Sequence, residues 1–219
     1  MHWVYYFGRV LIRLLVYPFA NWEVRGRENV PAAGPVLIVC NHLHIGDPPI
    51  VGGSIRLKTV FMAKEELFRH WFSRFFVKNY GAFPVHRGKL DREAIRQAEY
   101  WTKQGISLVM FPEGTRSPDA RMQTAYPGSA LIAARLGIPI LPVSITGSEK
   151  FKKMRWFPRT KVIVTIGKLF DPPSSNGRLT RDELNRLTGI IMGKIADLLP
   201  PEYRGVYGKG DHAGNREGK

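Results

Sequence analysis

The stretch "VLIVCNHLHIGDPP", residues 36–49, sets five apolar side chains, Val36 to Cys40, directly before two histidines, a glycine, an aspartate and two prolines. A short apolar run closed by polar and turn residues reads as a buried strand. Gly46, Pro48 and Pro49 then supply a loop and the start of a helix. The same strand, loop and helix grammar repeats downstream. Strands are expected at 36–41, 58–63, 82–86, 106–111, 139–145 and 161–166, and helices at 48–55, 65–79, 91–104, 128–136 and 181–198. Asp91 can cap the third of these helices, Gly105 and Gly137 can terminate two, and "TRDEL" opens the last with acids in its first turn. Such alternation builds an α/β domain with a central, largely parallel sheet flanked by helices.

With 219 residues, 44% of them hydrophobic, the chain can close a sizeable core, so a single domain over 21–200 is expected. Lys and Arg total 33 against 18 Asp and Glu, and the resulting +15 draws the protein to something anionic: nucleic acid, a membrane surface or a phosphorylated substrate. The single cysteine, Cys40, excludes an internal disulfide framework. Residues 1–20 are aromatic and apolar, yet Arg9 and Arg13 interrupt them and Pro18 limits a helix. A membrane-spanning helix wants about 20 uninterrupted apolar residues, and a signal peptide has its charges ahead of its apolar core. A helix lying in the membrane interface suits this pattern, with Trp3, Tyr5, Tyr6 and Tyr17 at the headgroups and Val10, Leu11, Leu14 and Leu15 below them. An ordinary helix packed on the domain is the competing reading. The stretch "KFKKMRWFPR", residues 150–159, adds five basic residues and no acid, which suits an anionic membrane or the phosphates of a coenzyme A. The end of the chain, 201–219, is glycine-rich and charged and is expected to be a flexible tail.

Three readings of residues 41–49 compete. Zinc and iron sites need three or four ligands, and beyond His42, His44 and Asp47 the remaining histidines, His2, His70, His86 and His212, form no paired motif. No metal is therefore expected. A base-and-carboxylate pair fails on a regular helix, where His42 and Asp47 would point about 140° apart. In a loop the carboxylate folds back, fixes the tautomer of the imidazole and leaves its other nitrogen as a general base. A histidine that merely satisfies loop backbone is the third reading, and for the pair alone it is the one favoured.

Three further stretches each follow an expected strand and so meet at one sheet edge, where open α/β folds bind ligands. They are "GAFPVHRG" at 81–88, "FPEGTRS" at 111–117 and "ILPVSITG" at 140–147. The second offers a turn with free N–H groups, a hydroxyl and a guanidinium, a set suited to a phosphate. Together with "NHLHIGD", these stretches resemble, in order and spacing, the four blocks of the glycerolipid acyltransferases. The similarity is greatest to the 1-acylglycerol-3-phosphate acyltransferases, and it covers residues 20–170. The resemblance implies transfer of a fatty acyl group from acyl-CoA or acyl-carrier protein, as co-substrate without a further cofactor, to the sn-2 hydroxyl of lysophosphatidate. It implies His42 as base, Asp47 as its orienter, and Arg87, Glu113, Gly114, Thr115 and Arg116 as the acceptor site. His44 stands where the family often has serine, and no basic residue closely precedes Gly128, which leaves glycerol 3-phosphate or another lysophospholipid open as acceptor. The expected setting is monotopic, peripheral on the cytoplasmic face of the cell membrane. Cys40 ends an apolar strand and is expected to pack rather than to form an acyl-enzyme. The rival from another class is a non-catalytic basic protein of anionic lipid or nucleic acid, although no nucleic-acid motif accompanies the charge.

Overall fold

The computed structural model describes residues 20–64, 82–85, 92–153, 159–173 and 179–208. Seven strands make one sheet: β1 Ala20–Arg25, β2 Leu37–Cys40, β3 Thr59–Lys64, β4 Ala82–Val85, β5 Ser107–Met110, β6 Ile140–Thr146 and β7 Thr160–Ile166. Their order across the sheet is β1-β7-β6-β2-β5-β3-β4. Every neighbouring pair is parallel except β6 with β7. The helices are α1 Asp47–Ser54, α2 Arg92–Lys103, α3 Gly128–Leu136 and α4 Arg181–Asp197.

The strand β2 shows why the sheet lies in the middle. Side chains alternate between the two faces of a strand. Leu37 and Val39 join one buried cluster with Ala98 of α2, Ala133 of α3 and Ile191 of α4. Ile38 and Cys40 join the other with Ile50 and Val51 of α1. Both faces are covered, so the strand is apolar at every position instead of every second one. The helix α4 starts on a reciprocal cap: Thr180 Oγ1 accepts the Glu183 N–H while Glu183 Oε2 accepts the Thr180 N–H.

The expected strands and helices fall within the described residues at nearly the expected places, apart from the helix over 65–79, which lies outside them. One strand was not foreseen. β1 pairs in parallel with β7 at the sheet edge, and only Ala20 among its residues is fully buried. An edge strand with one solvated side carries Glu23 and Arg25 without an apolar run to announce it. Its fixed points are Trp22, whose Nε1–H donates to Ser54 Oγ at 3.1 Å, and Glu23, which meets Lys161 of β7 at 3.2 Å. Of the expected interface helix over 1–20, all but Ala20 lies outside the described residues.

The expectation of a loose tail from 201 onward is corrected in its first part. Pro201–Tyr203 and Gly205–Tyr207 form two 3-10 turns packed on the domain. Tyr203 and Tyr207 bury aromatic surface there, which a reading by glycine content and charge overlooks.

Candidate active site

Because β2, β5 and β6 run parallel, the residues that follow them gather at one edge of the sheet. After Cys40 the pairing of β2 with β6 is continued by a side chain. Asn41 Nδ2 donates to the Ile145 carbonyl at 2.9 Å, and Asn41 Oδ1 accepts the Ile145 N–H at 2.8 Å. The amide group copies a peptide unit, so the sheet ends on a fixed side chain and the next residue, His42, leaves from an anchored point.

His42 is held through its main chain and its ring. Its N–H donates to Glu113 Oε1 at 3.1 Å, and its carbonyl accepts the Ser117 N–H at 2.8 Å. The ring stacks on Phe111, with centroids 4.3 Å apart. His42 Nδ1 lies 2.9 Å from Asp47 Oδ2. That oxygen also accepts the Leu43 N–H at 2.6 Å and the His44 N–H at 2.7 Å. An oxygen that already receives two N–H groups assigns the donor role to Nδ1, which leaves Nε2 with its lone pair. The His42 side chain is 12% exposed and that of Asp47 0%, so the imidazole is open to the outside and the carboxylate lies behind it.

Asp47 folds back because the loop makes it do so. The Asp47 N–H donates to the His44 carbonyl at 3.0 Å, closing a turn. Asp47 then opens α1, with Pro48 and Pro49 in its first turn, where their missing N–H groups are harmless. The His44 ring turns elsewhere: its Nδ1 accepts the Gly46 N–H at 3.1 Å, and the ring meets Phe151 edge-on at 5.6 Å.

The block after β5 is placed in two parts. Glu113 was expected beside the acceptor, yet it is 1% exposed and each of its oxygens is engaged by a backbone N–H. Oε1 takes His42, and Oε2 takes Gln123 at 2.9 Å. The structure thus sets Glu113 behind His42, where it ties the His42 main chain to the loop at Gln123. Burial raises its carboxyl pKa to about 7, against the pull of the two backbone donors. Gly114, at φ 68°, makes the left-handed turn that follows. Thr115 and Arg116 are exposed on the same turn. Because Glu113 and Ser117 bind the two sides of the His42 main chain, the turn 114–116 is tethered next to the pair. Arg87 lies outside the described residues.

Cys40 is fully buried, and burial raises its thiol pKa well above the ordinary value, with the Asp47 and Glu113 carboxylates adding to the effect. It packs, as expected, and offers no thiolate. Among the described residues no group of three or more His, Cys, Asp or Glu could hold a metal ion. Asn41, Phe111, Ser117 and Gln123 were not singled out from the sequence, because each acts through a contact to a residue distant in the chain.

A model of the family described as Acyltransferase matches residues 21–146. A chloroplastic 1-acyl-sn-glycerol-3-phosphate acyltransferase of Brassica napus is 28% identical over 207 residues, covering 91% of this chain and 54% of the relative. A 1-acyl-sn-glycerol-3-phosphate acyltransferase of Bacillus subtilis is 28% identical over 178 residues, covering 80% of this chain and 87% of the relative. The crystal structure of the 1-acyl-sn-glycerophosphate (LPA) acyltransferase PlsC from Thermotoga maritima is similar at a TM-score of 0.67 and 28% identity, covering 89% of this chain and 76% of that one. The chain spans about half the length of the Brassica relative and most of the Bacillus one. The family match takes in β1 to β6, the His42–Asp47 pair and the turn after β5, which is more than half of all residues: the chain belongs to the acyltransferase family.

Proposed function

We propose that the protein transfers a fatty acyl group from a thioester, acyl-CoA or acyl-carrier protein, to the sn-2 hydroxyl of 1-acylglycerol 3-phosphate, yielding phosphatidate. The observation that carries this reading is the His42 Nδ1 to Asp47 Oδ2 contact of 2.9 Å at the sheet edge, with only the imidazole reachable. His42 Nε2 takes the proton from the acceptor hydroxyl as its oxygen attacks the thioester carbonyl. The carbon–sulfur bond then breaks, and the imidazolium returns the proton to the departing thiolate. A positioned base of this kind contributes typically about 10²–10⁴-fold, and holding the hydroxyl against the carbonyl contributes at least as much. Asp47 holds the ring in its working tautomer and stabilises the imidazolium.

The names of the relatives support lysophosphatidate as acceptor. Arg116 and Thr115 form the phosphate site with Arg87, because a guanidinium binds a phosphate bidentately. The enzyme works at the surface of a membrane, held by residues 1–20 and by the basic stretch 150–159, on its cytoplasmic face. Among the described residues no helix is long and apolar enough to cross a membrane.

The test is release of free thiol from oleoyl-CoA with a panel of acceptors: lysophosphatidate, glycerol 3-phosphate and lysophosphatidylcholine. Thiol release that depends on lysophosphatidate, and that disappears in His42→Ala, is the expected result. No acceptor-dependent release from the wild type would defeat the reading, and release with glycerol 3-phosphate alone would replace the acceptor.

A further inference from the structure

The family match ends at residue 146, yet the chain comes back to the active-site edge after α4. The Met122 N–H donates to the Tyr203 carbonyl at 2.8 Å, and the Met122 carbonyl accepts the Val206 N–H at 3.4 Å. Between them sits Gly205 at φ 51°, where a Cβ would meet the Met122 oxygen at 2.0 Å. Only a glycine lets the two backbones approach this closely. The Tyr207 hydroxyl then accepts the Ala125 N–H at 3.3 Å. The loop that is gripped, Met122–Ala125, is the one whose Gln123 N–H holds Glu113 Oε2. The other oxygen of the same carboxyl holds the His42 N–H.

A second contact runs to the 3-10 helix that follows β6. The Tyr203 hydroxyl donates to Glu149 Oε1 at 2.8 Å. Glu149 belongs to the 3-10 helix Ser148–Lys153, whose Phe151 meets the His44 ring. Burial and the Glu149 carboxylate push the Tyr203 hydroxyl to about 12, so it remains a donor throughout the working pH range. Tyr203 packs against both buried clusters, which fixes the strap on the body of the domain.

We propose that Tyr203, Gly205 and Tyr207 are positioning residues of the reaction: they form a strap that fixes the loop Met122–Ala125 and, through Glu113, the main chain of His42. The pair His42–Asp47 is built from a loop, and a loop stays in register only if its main chain is pinned. Glu113 pins it at one atom, and Glu113 is itself pinned by Gln123. Displacements of about 1 Å at a reacting group can cost about 100-fold in rate, so a slackened strap is felt at the imidazole without touching a substrate. This inference rests on the reading of His42 as the base of acyl transfer.

Tyr207→Phe removes one oxygen and leaves the ring in place. With oleoyl-CoA and lysophosphatidate, kcat should fall about ten-fold while both KM values stay within about two-fold, because alignment is lost and binding is not. In a Glu113→Gln background the same change should cost less than about two-fold, since the link it acts through is already cut. A strap that only stabilises the fold would lower the melting temperature and leave kcat of the folded enzyme unchanged, and a full ten-fold loss in both backgrounds would show a route that bypasses Glu113; either result overturns the proposal. Amide hydrogen exchange supplies the readout that needs no turnover. The segment 41–47 should exchange faster in Tyr207→Phe and in Gly205→Ala than in the wild type, with α3 unchanged. Equal exchange at 41–47 also overturns the strap. A wild type without turnover whose variants still exchange faster there would retire the acyl-transfer reading and keep the mechanical one.

Discussion

The replacement Glu113→Gln turns the buried staple into a pH test. In the folded protein the Glu113 carboxyl sits at about 7 instead of its ordinary 4.5, chiefly because it is buried. Such a shift corresponds to about 3 kcal/mol. The folded pKa is the higher one, so this stability is fully present below about pH 4.5 and is lost as pH rises through about 7. A glutamine in its place cannot titrate and removes the slope. It also has a single acceptor oxygen, so its NH2 faces one of the two N–H donors, at a cost of about 1–3 kcal/mol. At about pH 5 the variant should therefore be less stable than the wild type by that amount. At about pH 8 the wild type carries an ionised buried carboxylate, and the gap should close or reverse. Urea unfolding of both proteins at the two pH values measures the difference directly, and titrating groups not coupled to Glu113 cancel in it. A gap of the same size at both pH values would refute the reasoning, because Glu113 would then titrate alike in the folded and unfolded chains.

Asp47→Asn keeps an acceptor for the Leu43 and His44 N–H groups but loses the charge behind the imidazole, so kcat should drop on the order of 10²–10⁴-fold with little change in circular dichroism. Arg116→Ala and Arg87→Ala should raise the acceptor KM well above any effect on the thioester, with lysine rescuing only in part because it lacks the two-pronged donor; Michaelis constants for both substrates check this, and equal effects on the two would count against a phosphate site. Removal of residues 1–20 also removes Ala20 of β1, so the cut is better made after residue 17; sedimentation with anionic vesicles should then find binding that salt releases fully, where the full chain is released only partly.

The fold was readable where burial is two-sided. β2, β5 and β6 lie between helices on both faces, so their runs are mostly apolar and stand out against polar connections. β1 lies at an edge, and its fate depends on the register it shares with β7, from Ala20 opposite Thr160 to Arg25 opposite Thr165. Nothing local in "ANWEVR" announces a partner so far along the chain. The ordered 3-10 turns at 201–207 escaped for a related reason: glycine and charge speak for looseness, whereas the order comes from the Tyr203 and Tyr207 rings meeting a surface that exists only after folding.

The site divides along the same line. His42 and Asp47 are close in sequence, and their meeting depends on a turn that Gly46 and the prolines encode within the motif itself. Glu113 was visible as a residue of the site but not in its role, because that role depends on where its two oxygens end up. An exposed carboxylate on the Gly114 turn would repel the phosphate that Arg116 is proposed to hold. Buried and spent on two backbone N–H groups, it turns its carboxyl away from the Gly114 turn and joins three segments, 41–47, 113–117 and 122–125, at one point. The block "FPEGTRS" therefore combines two opposite placements in nearby residues: an acid that faces inward to hold the His42 main chain, and a glycine that reverses the chain so that Arg116 is exposed.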